Sequence, residues 1–490
     1  MSLEYGEDSP GGSIKVCTQS FCQLTTEGSS LEIDSYQRGF VWEDARIEQL
    51  IEDLYKYQSL PDPKPSYYMG AVLLHRDKEK GKRFIIDGQQ RLTALSILHH
   101  HLTGALPQGC AMKYSPQSEP RIRAAAKLYE EKAQDLKPDL ARIEFTVISV
   151  DLVDQAFIFF DTQNSRGVPL DATDLLKAFH LRDMSSDCRR QMACARLWEE
   201  AQKGSSVLPR QQGFMSSLFT HFFWRSRRWT AQETPASTRD ALLEEFGKST
   251  WKADGDPNRV PLYGTSSGGR AYEATLDDED RPTVFAITIK ETVGSDIVGL
   301  PFALRQPLQR GLGFFLYTAK YAYLVQRLFA EPGSAGHIAK AREVYDKIME
   351  RNSPYLREIY LLAMLMYVDR FGDNQLYEYA LWLEHALGAV RLEYARVNQE
   401  TAKRFFVGRE PSLMNTLAGA FASRQVIEVL KTPSYARPEV YAGKNSALDE
   451  QRRGGVHESY KYAVQQYFGK PEMAIAKKVE WIREQLGQCS

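Results

Sequence analysis

The chain has 490 residues, enough for about three average domains, and its apolar share of 43% and charged share of 26% are those of an ordinary soluble globular protein. Its 62 basic side chains balance 63 acidic ones, so no whole-molecule basic field exists and any nucleic-acid contact must come from a local patch. Six scattered cysteines without a Cys-x-x-Cys pair exclude a disulfide framework, and no apolar run reaches the roughly 18 residues of a membrane span.

Residues 1–13, "MSLEYGEDSPGGS", are polar, lack the apolar centre of a signal peptide and are read as a flexible tail. The expectation is a soluble, cytoplasmic protein. From residue 14 to 185 the pattern is α/β. Strands are predicted at 13–21 "SIKVCTQSF", 67–75 "YYMGAVLLH", 83–87 "RFIID" and 142–150 "RIEFTVISV", with "RDKEKGK" joining the second and third as a hairpin. A helix over 43–57 carries Ile47, Leu50, Ile51 and Leu54 on one buried face, and another follows Gly88 with Leu92, Leu95, Leu98 and Leu102. A third, from Leu152, sets Ala156 and Phe160 on one side.

Residues 186–490 read as a mainly α-helical domain rich in Tyr and Phe, interrupted by a Gly/Asp/Ser/Pro-rich stretch at 252–283 that is expected to be a long loop or an insertion. The fold class is therefore α+β.

The most informative stretch is "RFIIDGQQRLTALSILHHHL", residues 83–102, where a buried strand meets a buried helix through Asp87, Gly88, Gln89, Gln90 and Arg91. Gly88 permits a backbone angle or a close approach that a side chain would forbid. The first N–H groups of the helix point outward and the helix dipole adds positive charge there, a combination that attracts phosphate. Arg91 could add a forked, permanently charged donor, and both glutamines can donate and accept. A plainer reading makes Asp87 an N-cap with Gln90 closing a capping box, which accounts for three of the five residues but not for Gln89 or Arg91.

Two further polar turns also feed helices. One sets Tyr36, Gln37, Arg38 and Trp42 ahead of the first long helix. The other sets Asn164, Arg166 and Gly167 ahead of Asp171 as an N-cap, Asp174 in the first turn and Lys177 one turn further on. In the helical half, "HFFWRSRRWT" interleaves Arg225, Arg227 and Arg228 with Phe222, Phe223, Trp224 and Trp229, a weak candidate for nucleic-acid contact whose plainer reading is an amphipathic helix. Arg121, Arg123 and Lys127 form a weaker second candidate. The run His99–His101 is not a metal tract, because consecutive helical side chains diverge by about 100 degrees.

"YQRGFVW", "YYMGAVLL…FIIDGQQRLTALSIL" and "FDTQNSRGVPLDATDLLKA" resemble the signatures of the GmrSD-type restriction-system N-terminal domain, also called the DGQQR family, in order and spacing over residues 14 to about 185. The resemblance implies a ParB/sulfiredoxin-like fold for 14–185 and a nucleotide-binding module, often nucleotide-hydrolysing, in defence against foreign or modified DNA. It ties hydrolysis to Asp87, Gly88, Gln89, Gln90 and Arg91, with Tyr36, Gln37, Arg38, Asn164, Arg166 and Gly167 as further binding residues. The roles it suggests are phosphate contact for Arg38, Arg91 and Arg166, Mg²⁺ or water at Asp87, and orientation of the attacking water by Gln89 or Gln90. The implied cofactors are Mg²⁺ and a nucleoside triphosphate, and the implied partners are DNA and a separate nuclease subunit.

The chain departs from the family pattern in having no His-x-x-Pro nuclease motif; His385 in "LEHALGAV" lacks the proline and sits in a helical pattern. No P-loop sequence occurs either, so hydrolysis would be of a different type. Two readings stand: a nucleotide-dependent, Mg²⁺-assisted module of a restriction or phage-defence system, or a non-catalytic DNA-binding or regulatory protein that uses the same fold for phosphate contact.

Overall fold

The computed structural model describes the chain apart from residues 1–2, 6–13, 27, 34–38, 79–80, 115–117, 152–170, 185–186, 205–206, 208–212, 254–255, 257–258, 264–270, 287–291, 295–296, 298, 331–335, 395, 444–453, 472 and 488–490. The chain divides into two compact units, Met1–Leu170 and Asp171–Ser490.

The first unit is built on a six-stranded mixed sheet in the order β1-β2-β6-β4-β5-β3. Its strands are β1 (Leu3–Tyr5), β2 (Ile14–Ser20), β3 (Leu31–Ile33), β4 (Tyr67–Asp77), β5 (Lys82–Asp87) and β6 (Ile143–Val150). All four predicted strands are present, and β4 and β5 form the expected antiparallel hairpin. The central strand β4 also pairs with β6 in parallel, which the long connection through β5 and two helices makes possible. Two short strands escaped the sequence. β1 pairs antiparallel with β2, so part of the expected tail belongs to the sheet, and β3 pairs in parallel with β5. Three residues are too few for alternation to declare itself.

Four helices belong to the described part of this unit: α1 (Phe21–Thr26), α2 (Asp44–Gln58), α3 (Gln89–Thr103) and α4 (Glu119–Lys132). The three-four spacing of α2 does what it promised, with Ile47, Leu50, Ile51 and Leu54 all buried. They share one core with Leu92, Leu95 and Leu98 of α3, with Val72, Leu74 and Ile85 of the hairpin, and with Ile143, Phe145 and Val147 of β6. The helix read from Leu152, with Ala156 and Phe160, lies outside the described residues.

The second unit is mostly helical, as expected. Its longest helices, Leu312–Phe329, Pro354–Phe371 and Leu376–Glu393, are buried along most of their length. The stretch at 252–283 is not the long loop that its composition suggested. It contributes β7 (Val260–Tyr263), β8 (Ala271–Leu276) and β9 (Pro282–Ala286) which, with β10 (Thr292–Gly294), form a four-stranded antiparallel sheet. Val260 and Leu262, Ala274 and Leu276, and Val284 are buried, an alternation that the surrounding Gly, Asp and Pro obscured. The acidic run is the turn between β8 and β9, where the Asp277 carboxylate accepts the N–H groups of Glu279 and Arg281 at 2.9 Å each.

Candidate functional site: the first turn of helix α3

β5 runs buried from Arg83 to Ile86 and ends at Asp87, and α3 begins two residues later. Gly88 makes that corner at φ 94°, in the left-handed region, and a Cβ there would stand 2.8 Å from Val72 Cγ2. Conformation and space both require glycine. Gly88 is the N-cap and no side chain caps the helix. The first intrahelical bond is Leu92 N–H to the Gly88 carbonyl at 3.0 Å, which leaves the N–H groups of Gln89, Gln90 and Arg91 without an acceptor in the helix.

The capping-box reading therefore fails. Asp87 is the last strand residue, and the Gln90 amide serves elsewhere. Gln90 Nε2 donates to the Gly39 carbonyl at 3.0 Å, and its Oε1 accepts the Val41 N–H at 2.8 Å. One side chain thus pairs with the backbone of residues that directly follow Tyr36-Gln37-Arg38 in the sequence. Tyr36, Gln37 and Arg38 themselves lie outside the described residues, as do Asn164, Arg166 and Gly167.

Arg91 is also largely engaged. Its Nη1 donates to the Met69 carbonyl at 3.1 Å, and its Nη2 donates to the Ala71 carbonyl at 2.7 Å and to Asp87 Oδ2 at 3.3 Å. Gly70, at φ 102°, lies between those carbonyls, and the register of β4 against β6 shifts between Tyr68 and Ala71. A Cβ at Gly70 would overlap Arg91 Nη1. The guanidinium therefore sits on a strand irregularity and fastens it. Sequence reasoning missed Gly70, although a lone glycine inside a strand pattern signals a bulge or a close approach.

Two members of the motif remain for chemistry. The Asp87 side chain is 46% exposed, and Arg91 is its partner. Gln89 is 5% exposed, and its amide has no hydrogen-bond partner among the described residues. Asp87 and Arg91 cancel in charge, which leaves the helix N–H groups as the positive pole of the described site. Among the described residues no three His, Cys, Asp or Glu side chains gather to hold a metal. A single carboxylate does fit Mg²⁺ of the kind that keeps its waters and takes its remaining ligands from phosphate.

The other candidates resolve differently. Arg225 is buried and pairs with Glu358 at 2.9 Å, and Arg227 is partly buried between Glu245 at 2.6 Å and the carbonyls of Leu304 and Gln306. Phe222, Phe223, Trp224 and Trp229 are core residues, so the run is no nucleic-acid face; of its arginines Arg228 is the exposed one, with a side chain 53% exposed. The aromatic interleaving that suggested base stacking is the packing of a buried helix. Arg121, Arg123 and Lys127 are exposed, each beside a glutamate.

Asp171 does cap its helix, accepting the Thr173 N–H at 2.9 Å, while Lys177 is buried 3.5 Å from Glu199. His385 is a core residue stacked on Tyr441, with Nε2 at 3.1 Å from the Ala436 carbonyl. Burial pushes its imidazole well below the usual range and the Lys478 ammonium adds to that, so it stays neutral.

No curated protein matches the chain. Two family models do. One, described as the GmrSD restriction endonuclease N-terminal domain, matches residues 20–181, which span α3 and all three polar turns. The other, a family of unknown function (DUF7834), matches residues 190–445, more than half of the chain. Among the described residues no helix is long and apolar enough to cross a membrane. The chain belongs to the DUF7834 family and carries, ahead of that region, the GmrSD N-terminal domain of restriction and phage-defence systems.

Proposed function

We propose that the N-terminal domain binds a nucleoside triphosphate at the first turn of α3 and hydrolyses it with Mg²⁺, as a module of a restriction or phage-defence system. The observation that carries this reading is the pairing of an uncapped helix start with Gln89, a side chain 5% exposed and without a partner among the described residues. Backbone N–H groups at 89–91 would take phosphate oxygens, and the dipole of α3 would favour their charge. Gln89 would orient the attacking water, a task for which one free donor and one free acceptor suffice. Asp87 would position the metal or that water. Bound Mg²⁺ would supply charge neutralisation on the phosphoryl group. Gln90 and Arg91 act behind this group rather than in it.

The test is phosphate release from ATP, GTP, CTP and UTP with Mg²⁺, with and without DNA, comparing wild type with Asp87→Ala. Release that is lost in a folded variant supports the reading and identifies the nucleotide. Wild-type protein that releases no phosphate from any of the four overturns hydrolysis; DNA affinity falling steeply with salt would then favour a non-catalytic DNA-binding or regulatory protein.

A further inference from the structure

Gln90 belongs to the motif, yet both ends of its amide face another segment. Among the described residues, Gly39–Val41 makes no backbone-to-backbone hydrogen bond. Side chains hold it instead. Gln90 takes the Gly39 carbonyl and the Val41 N–H, and Ser118, fully buried just ahead of α4, accepts the Phe40 N–H at 2.9 Å. The Phe40 ring, 1% exposed, is sunk in the core beneath. The amide orientation is fixed by its partners, because a carbonyl can only accept and an N–H can only donate. Gly39 follows directly on Arg38, the last residue of the Tyr-Gln-Arg turn.

We propose that Gln90 is a positioning residue that fastens the Gly39–Val41 peptide to the helix start that carries Gln89 and the N–H groups of residues 89–91. This rests on the nucleotide reading above for its effect on turnover, though not for the clamp itself. Two bonds from one side chain fix the segment in both register and direction, which a single bond would not. Three successive backbone positions depend on two side chains, so losing Gln90 leaves the segment held at Phe40 alone. Gln90 then acts on the reaction through the Gly39–Val41 segment, not by touching phosphate. Its substitution should loosen the Gly39–Val41 segment while leaving the α3 N–H groups in place, because those are set by Gly88 and the helix itself.

The test compares wild type with Gln90→Met, which conserves volume and removes both bonds, and Gln90→Glu, which keeps only the acceptor for Val41. Ser118→Ala, releasing Phe40 from the other side, serves as a second route to the same segment should either Gln90 variant fail a folding check. Amide hydrogen exchange is followed across residues 39–42 and, as an internal reference, across Leu92–Leu98. The expected result is exchange at 39–42 faster by about tenfold or more in Gln90→Met, intermediate in Gln90→Glu, and unchanged over Leu92–Leu98. With the nucleotide that wild type hydrolyses, kcat should fall about tenfold while KM stays within about threefold.

Unchanged exchange at 39–42 in Gln90→Met overturns the clamp. A raised KM with unchanged exchange also overturns it, and makes Gln90 a nucleotide contact. Faster exchange with an unchanged kcat overturns the positioning role. If wild type releases no phosphate at all, the nucleotide reading is what falls, and the exchange arm on the free protein still decides whether Gln90 holds the segment.

Discussion

The Arg91 guanidinium occupies the space that a side chain on Gly70 would need, reaching the carbonyls on either side of that glycine at 3.1 and 2.7 Å. The last residue of the Asp-Gly-Gln-Gln-Arg motif is thereby locked to the irregular turn of β4. Gly70→Ala should cost about 2–4 kcal/mol, because it combines a left-handed backbone with overlap against Arg91. Urea unfolding of the variant checks this, and a midpoint equal to that of wild type would remove Arg91 from its assigned place.

Asp87 is half-exposed and its pairing with Arg91, at 3.3 Å, is a surface contact. Asp87→Asn is expected to change stability by less than about 1 kcal/mol. Under the proposed function it should nevertheless reduce nucleotide turnover by 100-fold or more, in keeping with the roughly 2.7–4 kcal/mol that electrostatic groups supply at reacting centres. Thermal unfolding and phosphate release on one preparation separate the two effects.

His180 ties three segments of the second unit together. Its Nε2–H donates to the Phe246 carbonyl at 2.7 Å, and its Nδ1 accepts the Gly311 N–H at 3.2 Å, so the ring is neutral with the proton on Nε2. Complete burial pushes its pKa down to about 3, and Arg310 adds to the depression. The folded value lies below the unfolded one, so this stability is present above pH 6.5 and is lost as pH falls from there towards 3. The contribution reaches about 1.4 kcal/mol per pH unit within that window. His180→Gln should be less stable than wild type at pH 7 and should show a shallower fall in Tm between pH 6 and 4. Parallel pH profiles would contradict the buried, neutral ring.

Lys478 and Glu384 form a fully buried ion pair, 2.6 Å apart, and Tyr460 donates to the same carboxylate at 2.7 Å. A Cβ at Gly388 would overlap the Tyr460 hydroxyl, so that glycine makes room for the network. Lys478 lies beyond the 190–445 family match, whereas Glu384 lies within it. Lys478→Met should cost about 3–5 kcal/mol by stranding a buried carboxylate, and adding Glu384→Leu should recover most of that. A double variant as unstable as the single one, by chemical unfolding, would mean that the charge was not the cause.

Arg225 and Arg227 are expected to matter for folding and not for DNA. Removing Arg225 leaves the buried Glu358 unpaired, at a cost of about 3–5 kcal/mol, and removing Arg227 breaks a partly buried pair with Glu245 and costs less. Arg228→Ala should stay within about 1 kcal/mol of wild type, since its side chain is half-exposed and its pair with Glu245 is long, at 3.5 Å. DNA affinity measured by fluorescence anisotropy should be the same for Arg228→Ala and wild type; a clear loss would return that segment to the nucleic-acid question.

Local sequence determined the elements with strong periodicity. The spacing of Ile47, Leu50, Ile51 and Leu54 settled α2, the uninterrupted apolar run 84–86 settled β5, and Asp-Gly ahead of a leucine-spaced run settled the corner at Gly88. Each depends on contacts a few residues apart, which a pattern can report. The motif itself was also legible, as a glycine and four polar residues where a turn needs a glycine and one capping residue. Its division of labour was decided by tertiary structure. Gln90 faces Gly39 and Val41, 51 and 49 residues away, and Arg91 faces Met69 and Ala71, 22 and 20 residues away. Hydrogen-bond donors look alike in sequence whether they meet a phosphate or a distant carbonyl, and only the folded chain brings the carbonyl there. The same holds for Arg225 and Arg227, whose carboxylate partners lie 133 and 18 residues further along the chain.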